Sequence, residues 1–148
     1  MAGDGSFISI PRRVLKQAST QPSVVAYHAK SDGRWHPTTW RTYAEQIRQA
    51  ARAMIALGLP RGGKVAILGF NRPEWVLFDH AAMMAGGAPA GIYTTCSSEE
   101  VAYIVNHAEA PVVLVENQAQ FDKIKRETDK LPLLKLSLIH ISEPTRPY

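Results

Sequence analysis

Residues 69–72, Gly-Phe-Asn-Arg, stand where an apolar run gives way to a proline-led helix start. Parallel α/β sheets hold phosphate groups at such strand-to-helix junctions, against the free N–H groups of the helix. The junction has the position but not the glycine spacing of a dinucleotide or nucleoside-triphosphate loop, so its residues alone argue no phosphate cradle. Arg61, Gly62, Gly63 and Lys64 are glycine-rich and basic, but they precede a strand, at the edge away from a ligand, and read as a turn. Cys96 follows Thr94 and Thr95 and precedes a helix start at Ser97, where a thiolate would be stabilised. No base stands beside it in the sequence, and a small structural residue is the simpler reading. Thr94 and Thr95 could line a site or satisfy loop backbone, and both readings stay open. Of His28, His36, His80, His107 and His140, no pair has the spacing of a metal-binding helix. His107 suits a helix C-terminus, His80 reads as a hydrogen-bonded core histidine, and Asp79 has no second carboxylate for acid–base work. The catalytic, cofactor-binding and metal-ligating assignments are therefore none.

The elements that would position these groups are clearer. Pro11 opens a helix over 10–19, with Val14, Leu15 and Ala18 on one face. Residues 24–27 and 35–40 read as an antiparallel pair turned by Asp32-Gly33. Thr42 and Glu45 have the spacing of a capping box. Behind them Tyr43, Ala44, Ile47, Ala50, Ala51, Met54 and Ile55 form a stripe that should cover a sheet, and Gly58 should take the left-handed position at the helix end.

From Lys64 the pattern alternates. Residues 65–69 predict a strand buried on both faces. A helix capped by Asn71 follows, apolar nearly all round from Trp75 to Met84 and so expected to be buried, and Gly86-Gly87 end it. Residues 88–93 predict a second strand, Ser97 and Glu100 a capping box on a short helix, and residues 112–115 a third strand. A helix over 118–130 with Phe121, Ile124 and Leu131 inward should lead into a fourth strand after Lys135. Strands and helices alternating at this spacing imply an α/β domain with a mostly parallel sheet, flanking helices and an N-terminal β-hairpin.

The chain has 148 residues, 45% hydrophobic and 20% charged, which suits one globular domain and excludes disordered and collagen-like classes. The net charge of +4 is scattered rather than clustered, so a nucleic-acid partner is not expected. A single cysteine excludes an internal disulfide and suits a reducing compartment. The N-terminus lacks the apolar core of a secretory signal, and the apolar runs are too short to span a bilayer. A cytoplasmic location is expected, with peripheral membrane contact left open.

Several stretches in order resemble the N-terminal region of adenylate-forming acyl-CoA synthetases. These are Thr42-Tyr43, Gly58-Leu59, residues 65–75 (Val-Ala-Ile-Leu-Gly-Phe-Asn-Arg-Pro-Glu-Trp), residues 85–95 (Ala-Gly-Gly-Ala-Pro-Ala-Gly-Ile-Tyr-Thr-Thr) and residues 98–104. Residues 69–71, 85–87, 91–95, 115–118 (Val-Glu-Asn-Gln) and 131–135 are most similar to the bubblegum-type long-chain branch. The resemblance implies the N-terminal part of the AMP-forming fold and, for the intact enzyme, a fatty acid–CoA ligase. Such an enzyme uses ATP, Mg²⁺ and coenzyme A, and passes through an acyl-adenylate. In that family the phosphate loop, the nucleotide contacts and the catalytic lysine come later in the chain. The resemblance therefore carries no site residue onto this segment, which is expected to bind no cofactor and to be inactive alone. Two other readings stand beside it: an adenylating enzyme for another carboxylate, such as an aryl or amino acid, and a non-catalytic α/β interaction module. Oligomeric state is not legible.

Residues 136–146 match what one reading frame of a transposase sequencing adapter encodes, and residues 136–148 are set aside as a non-native tail. The expected organisation is a flexible 1–9, a partial AMP-binding domain over 10–135, and that tail. Without the strands that follow in such enzymes, the helix around Trp75 and the open sheet edge should face water and make the isolated chain poorly soluble.

Overall fold

In the computed structural model, which describes residues 8–139, α1 (Ile10–Thr20) leads into the hairpin of β1 (Val25–Ser31) and β2 (Arg34–Thr39). Asp32 and Gly33 both have positive φ, 50° and 74°, the pair of left-handed residues that a two-residue hairpin turn needs. Ser31 thus pairs with Arg34; β1 runs longer than its apolar stretch suggested, while β2 keeps the expected length one residue earlier in the chain.

Helix α2 (Trp40–Ala56) begins three residues earlier than expected, and its cap is not the Thr42–Glu45 pair. Thr39, still extended as the last residue of β2, accepts the Thr42 N–H on its hydroxyl at 3.3 Å. Trp40 therefore belongs to the helix, and Thr42 occupies the position where a capping box would place its Glu. At the other end Gly58 is left-handed (φ 86°). Its N–H reaches Ile55 O, and the next N–H, from Leu59, reaches Met54 O, a Schellman ending. Tyr43, Ala44, Ile47, Ala51 and Met54 are buried as the stripe predicted, but Ile55 is exposed at the stripe's edge.

The main sheet is parallel, β3 (Lys64–Leu68), β4 (Ala88–Ile92), β5 (Val112–Val115) and β6 (Leu136–Ile139), in the order β4-β3-β5-β6. Side chains alternate across a strand, so β3 and β5 feed two cores. Val65, Ile67, Val112 and Leu114 pack with α1, α2 and α3 (Pro73–Met84). Ala66, Leu68, Val113 and Val115 pack with α4 (Ser98–His107) and α5 (Gln118–Arg126). Each fully covered Val, Leu or Ile contributes about 1.5–3 kcal/mol of burial, which is why these continuous apolar runs lie at the middle of the sheet.

Helix α3 departs from expectation twice. Its cap is Arg72, not Asn71, because Pro73 takes the first helical position and forces the residue before it to be extended (φ −131°, ψ 161°). It is also only half buried: Ala81 and Ala82 are covered, while Val76 is 43% exposed. One face meets α1, α2 and the sheet, and among the described residues no further layer lies on the other. The capping box of α4 is present in both directions, Glu100 N–H to Ser97 Oγ at 3.2 Å and Ser97 N–H to Glu100 Oε2 at 2.7 Å.

Helix α5 stops at Arg126 rather than running to 130. Thr128 Oγ1 donates back to Ile124 O and Lys125 O, and a 3-10 turn (Thr128–Lys130) follows. Ile124 and Leu131 are buried, and Phe121 is half buried. The fourth strand appears where the topology requires it, and β6 is built from the first residues of the adapter-like stretch, whose alternating character suits the vacant place beside β5. His140 and the rest of that stretch lie outside the described residues, as does most of the segment expected to be flexible, residues 1–7.

Candidate functional site

The strand order creates a crevice. The chain leaves β3 through α3 to reach β4 on one side, then crosses back so that β5 and β6 extend the sheet on the other. Helix α3 belongs to one core, α4 and α5 to the opposite one. The loops after β3 and β5 therefore part from each other at the carboxyl ends of adjacent strands, the switch point where open α/β sheets take ligands.

Here that crevice is bridged. Glu116, the residue after β5, accepts the Phe70 N–H on Oε2 at 2.7 Å and Arg72 Nη1 on Oε1 at 3.2 Å. Its own N–H donates to Leu68 O at 3.1 Å. Arg72 Nε also lies 3.4 Å from Glu74 Oε2. Beneath the bridge, between Gly69, Trp75 and Leu114, only about 20 Å³ remains, room for a water and no more. Larger open recesses flank it. One of about 520 Å³ lies among Tyr27, Tyr43, Asn71, Arg72 and Trp75, and one of about 420 Å³ among Gly69, Asn71, Trp75, Gly91 and Tyr93. Both fall within the usual size of small-molecule pockets. Trp75 lines all three because Gly91 lets the indole lie on β4: a Cβ there would stand 2.9 Å from Trp75 Cζ2.

Behind the hairpin-side recess sits a polar cluster on a mostly apolar interface. His80 Nδ1 lies 2.8 Å from Val76 O, so that nitrogen carries the proton, and Tyr43 Oη is 3.4 Å from it. Asp79 Oδ2 is 3.7 Å from the same nitrogen. Burial, with Tyr27 and Asp79 nearby, pushes the Tyr43 phenol up to about 12. Burial also raises Asp79 above the usual carboxylate range, against the pull of His80. His80 is hydrogen-bonded as expected, but it is half-buried on α3 rather than in the core, and Asp79 gains a histidine neighbour rather than a second carboxylate.

The remaining sequence candidates stay apart. Cys96 is a half-buried free thiol. The loop it shares with Thr94 is held by Lys123, whose ammonium donates to Thr94 O and Cys96 O, both at 2.7 Å. Residues 61–63 turn the chain at the opposite sheet edge into Lys64 of β3, with Gly62 N–H bonded to Gly86 O. His28 and His36 face different partners on the hairpin, and His107 stacks on Tyr103 at the end of α4. Among the described residues no three His, Cys, Asp or Glu side chains come together as metal donors, and no helix is long and apolar enough to cross a membrane. Glu116 and Lys123 are what spacing analysis missed. Their partners lie 27 to 46 residues away, and the only local signal is an acid placed directly after a buried parallel strand.

Residues 14–147 match the AMP-binding enzyme family. The chain belongs to that family. Curated relatives place it near one branch of AMP-binding enzymes. It is 46% identical over 111 residues to the long-chain-fatty-acid–CoA ligase ACSBG2 of Xenopus laevis, covering 75% of this chain and 15% of that protein. With human ACSBG2 the identity is 38% over 113 residues, 76% of this chain and 16% of that protein. The chain thus spans about one-sixth of the length of these AMP-binding relatives. The fold agrees. The N-terminal domain of FACL13 from Mycobacterium tuberculosis superimposes with a TM-score of 0.82 at 21% identity, over 90% of this chain and 34% of that one. The anthranilate CoA ligase AuaEII superimposes with a TM-score of 0.73 at 24% identity, over 86% of this chain and 24% of that one.

Proposed function

We propose that the protein to which this segment belongs is an AMP-forming long-chain fatty acid–CoA ligase. In the first half-reaction a fatty carboxylate oxygen would bond to the α-phosphorus of ATP as the bond to pyrophosphate breaks. In the second the coenzyme A thiol would take the acyl group and release AMP. The observation that carries the reading is the 46% identity over 111 residues to a long-chain ligase of the ACSBG type.

Within that reaction the segment's part is to shape the carboxyl edge of the sheet. Glu116 holds the loop after β3 against β5, and Lys123 holds the loop after β4 against α5. Mg²⁺ would supply charge neutralisation on the phosphates. The described side chains do not fit a site for it, since no three donors converge, so no step is drawn through the metal on this segment. As part of the same proposal, residues 10–135 are the native partial domain and residues 136–148 are adapter-encoded. Resequencing the source DNA across the Lys135 codon without a transposase library tests that division.

The test of function is ATP–pyrophosphate exchange by the longer protein that carries this segment, with palmitate, benzoate, anthranilate and amino acids compared. Exchange driven by palmitate supports the proposal. Exchange driven only by an aryl or amino acid would replace it with another adenylating activity, and no exchange with any acid would leave a non-catalytic module.

A further inference from the structure

Glu116 is 14% exposed, and both of its carboxylate oxygens are engaged across the switch point. Its partners are not incidental to α3. Phe70 lies in the turn that leaves β3, and Arg72 is the residue at which the helix begins, with no side-chain cap of its own. Two contacts therefore meet at one carboxylate: the Phe70 backbone N–H and the Arg72 guanidinium, which also lies against Glu74. Trp75 follows three residues after Arg72, and its ring rests on Gly91 of β4, between the two larger recesses. Wherever the start of α3 is set, the indole is set with it, and so is the partition of space along the sheet edge.

We infer that Glu116 is a positioning residue: its carboxylate ties the loop after β5 to the loop after β3, and so fixes the start of α3 and the place of Trp75 at the ligand edge. This deepens the ligase reading and rests on it for the kinetic consequence, while the tie itself can be read without any activity. A hydrogen-bonded contact to a charged group is worth about ten- to a hundredfold in an equilibrium. Losing it should free the loop by that factor without unfolding a sheet whose cores lie elsewhere.

The experiment uses Glu116→Gln, Arg72→Gln and the double variant. Amide exchange at Phe70 and palmitate-driven ATP–pyrophosphate exchange are both followed in the longer protein that carries this segment. Exchange of the Phe70 amide should quicken about tenfold or more in Glu116→Gln, while amides of β3 and β5 remain protected. In the longer protein kcat should fall about tenfold per folded molecule, and the double variant should be no worse than the poorer single one. If the glutamine variant does not fold, Glu116→Asp, which keeps the charge and loses reach, should show the same loosening at Phe70. An unchanged Phe70 amide overturns the inference, as does an additive double variant or a kcat that falls only with the folded fraction. If the wild-type longer protein shows no palmitate-driven exchange, the ligase reading fails separately, and the Phe70 amide alone decides whether Glu116 holds the loop.

Discussion

Gly91→Ala tests the packing that places Trp75. Gly91 is in β4 with ordinary extended backbone, so the substitution carries no penalty from φ; the cost is steric, a new Cβ 2.9 Å from Trp75 Cζ2 and 3.5 Å from Cη2. Overpacking of this kind costs about 1–3 kcal/mol. Replacing glycine also stiffens the unfolded chain, which returns about 0.4–1 kcal/mol. The indole is only half buried and can swing outward, so the net loss should be about 1–2 kcal/mol, equivalent to about 2–8 °C in Tm for a chain of this length. Thermal melts of Gly91→Ala, Trp75→Leu and the double variant separate the causes. Leu has no atoms where Cζ2 and Cη2 lie, so the cost of Gly91→Ala should largely vanish in the Trp75→Leu background, and tryptophan emission of the single Ala variant should shift to the red. An equal cost in both backgrounds would refute the reasoning, because the alanine would then be clashing with something other than the indole.

The other expectations concern helix ends and titrating groups. Ser97→Ala removes one half of the α4 capping box and should cost about 1 kcal/mol, about 2–4 °C in Tm, with faster amide exchange confined to the first turn of α4. Asp79 has a folded-state pKa above its unfolded 3.8, so as pH rises past 3.8 the unfolded chain ionises first and stability falls. Asp79→Asn should therefore melt higher than wild type at neutral pH, with the gain disappearing below pH 3.8; a constant difference across that range would contradict the assignment. Gln120 is 8% exposed, and its Oε1 has no hydrogen-bond partner among the described residues. Gln120→Leu should be neutral or gain up to about 1 kcal/mol in a denaturant titration, and a loss would mean that the amide has a polar contact that matters.

Much of the architecture was legible because it rests on local rules. The Asp32-Gly33 turn, the Gly58 and Gly86 helix endings and the Ser97–Glu100 box each need only neighbours within a few residues. The buried runs at 65–68 and 112–115 could only be central strands. Local rules also failed where two competed: Thr39 displaced Thr42 as a cap because β2 hands its last extended residue directly to the helix, and Pro73 moved the cap of α3 from Asn71 to Arg72. The family, too, was readable from ordered runs such as residues 65–75, since core and turn requirements hold such stretches together.

The order and type of nearly every element, and the enzyme family, are thus written in local residue patterns. Which loops meet depends on packing in three dimensions. Strand order is set by how crossovers pack on the two faces, and that brings Glu116 to Phe70 and Arg72 across 44 to 46 residues, and Lys123 to Thr94 and Cys96 across 27 to 29. A hydrogen bond is short-ranged and directional, so no spacing in the chain announces one between residues that share neither a helix face nor a turn. The carboxyl edge of this sheet is tied together by such bonds.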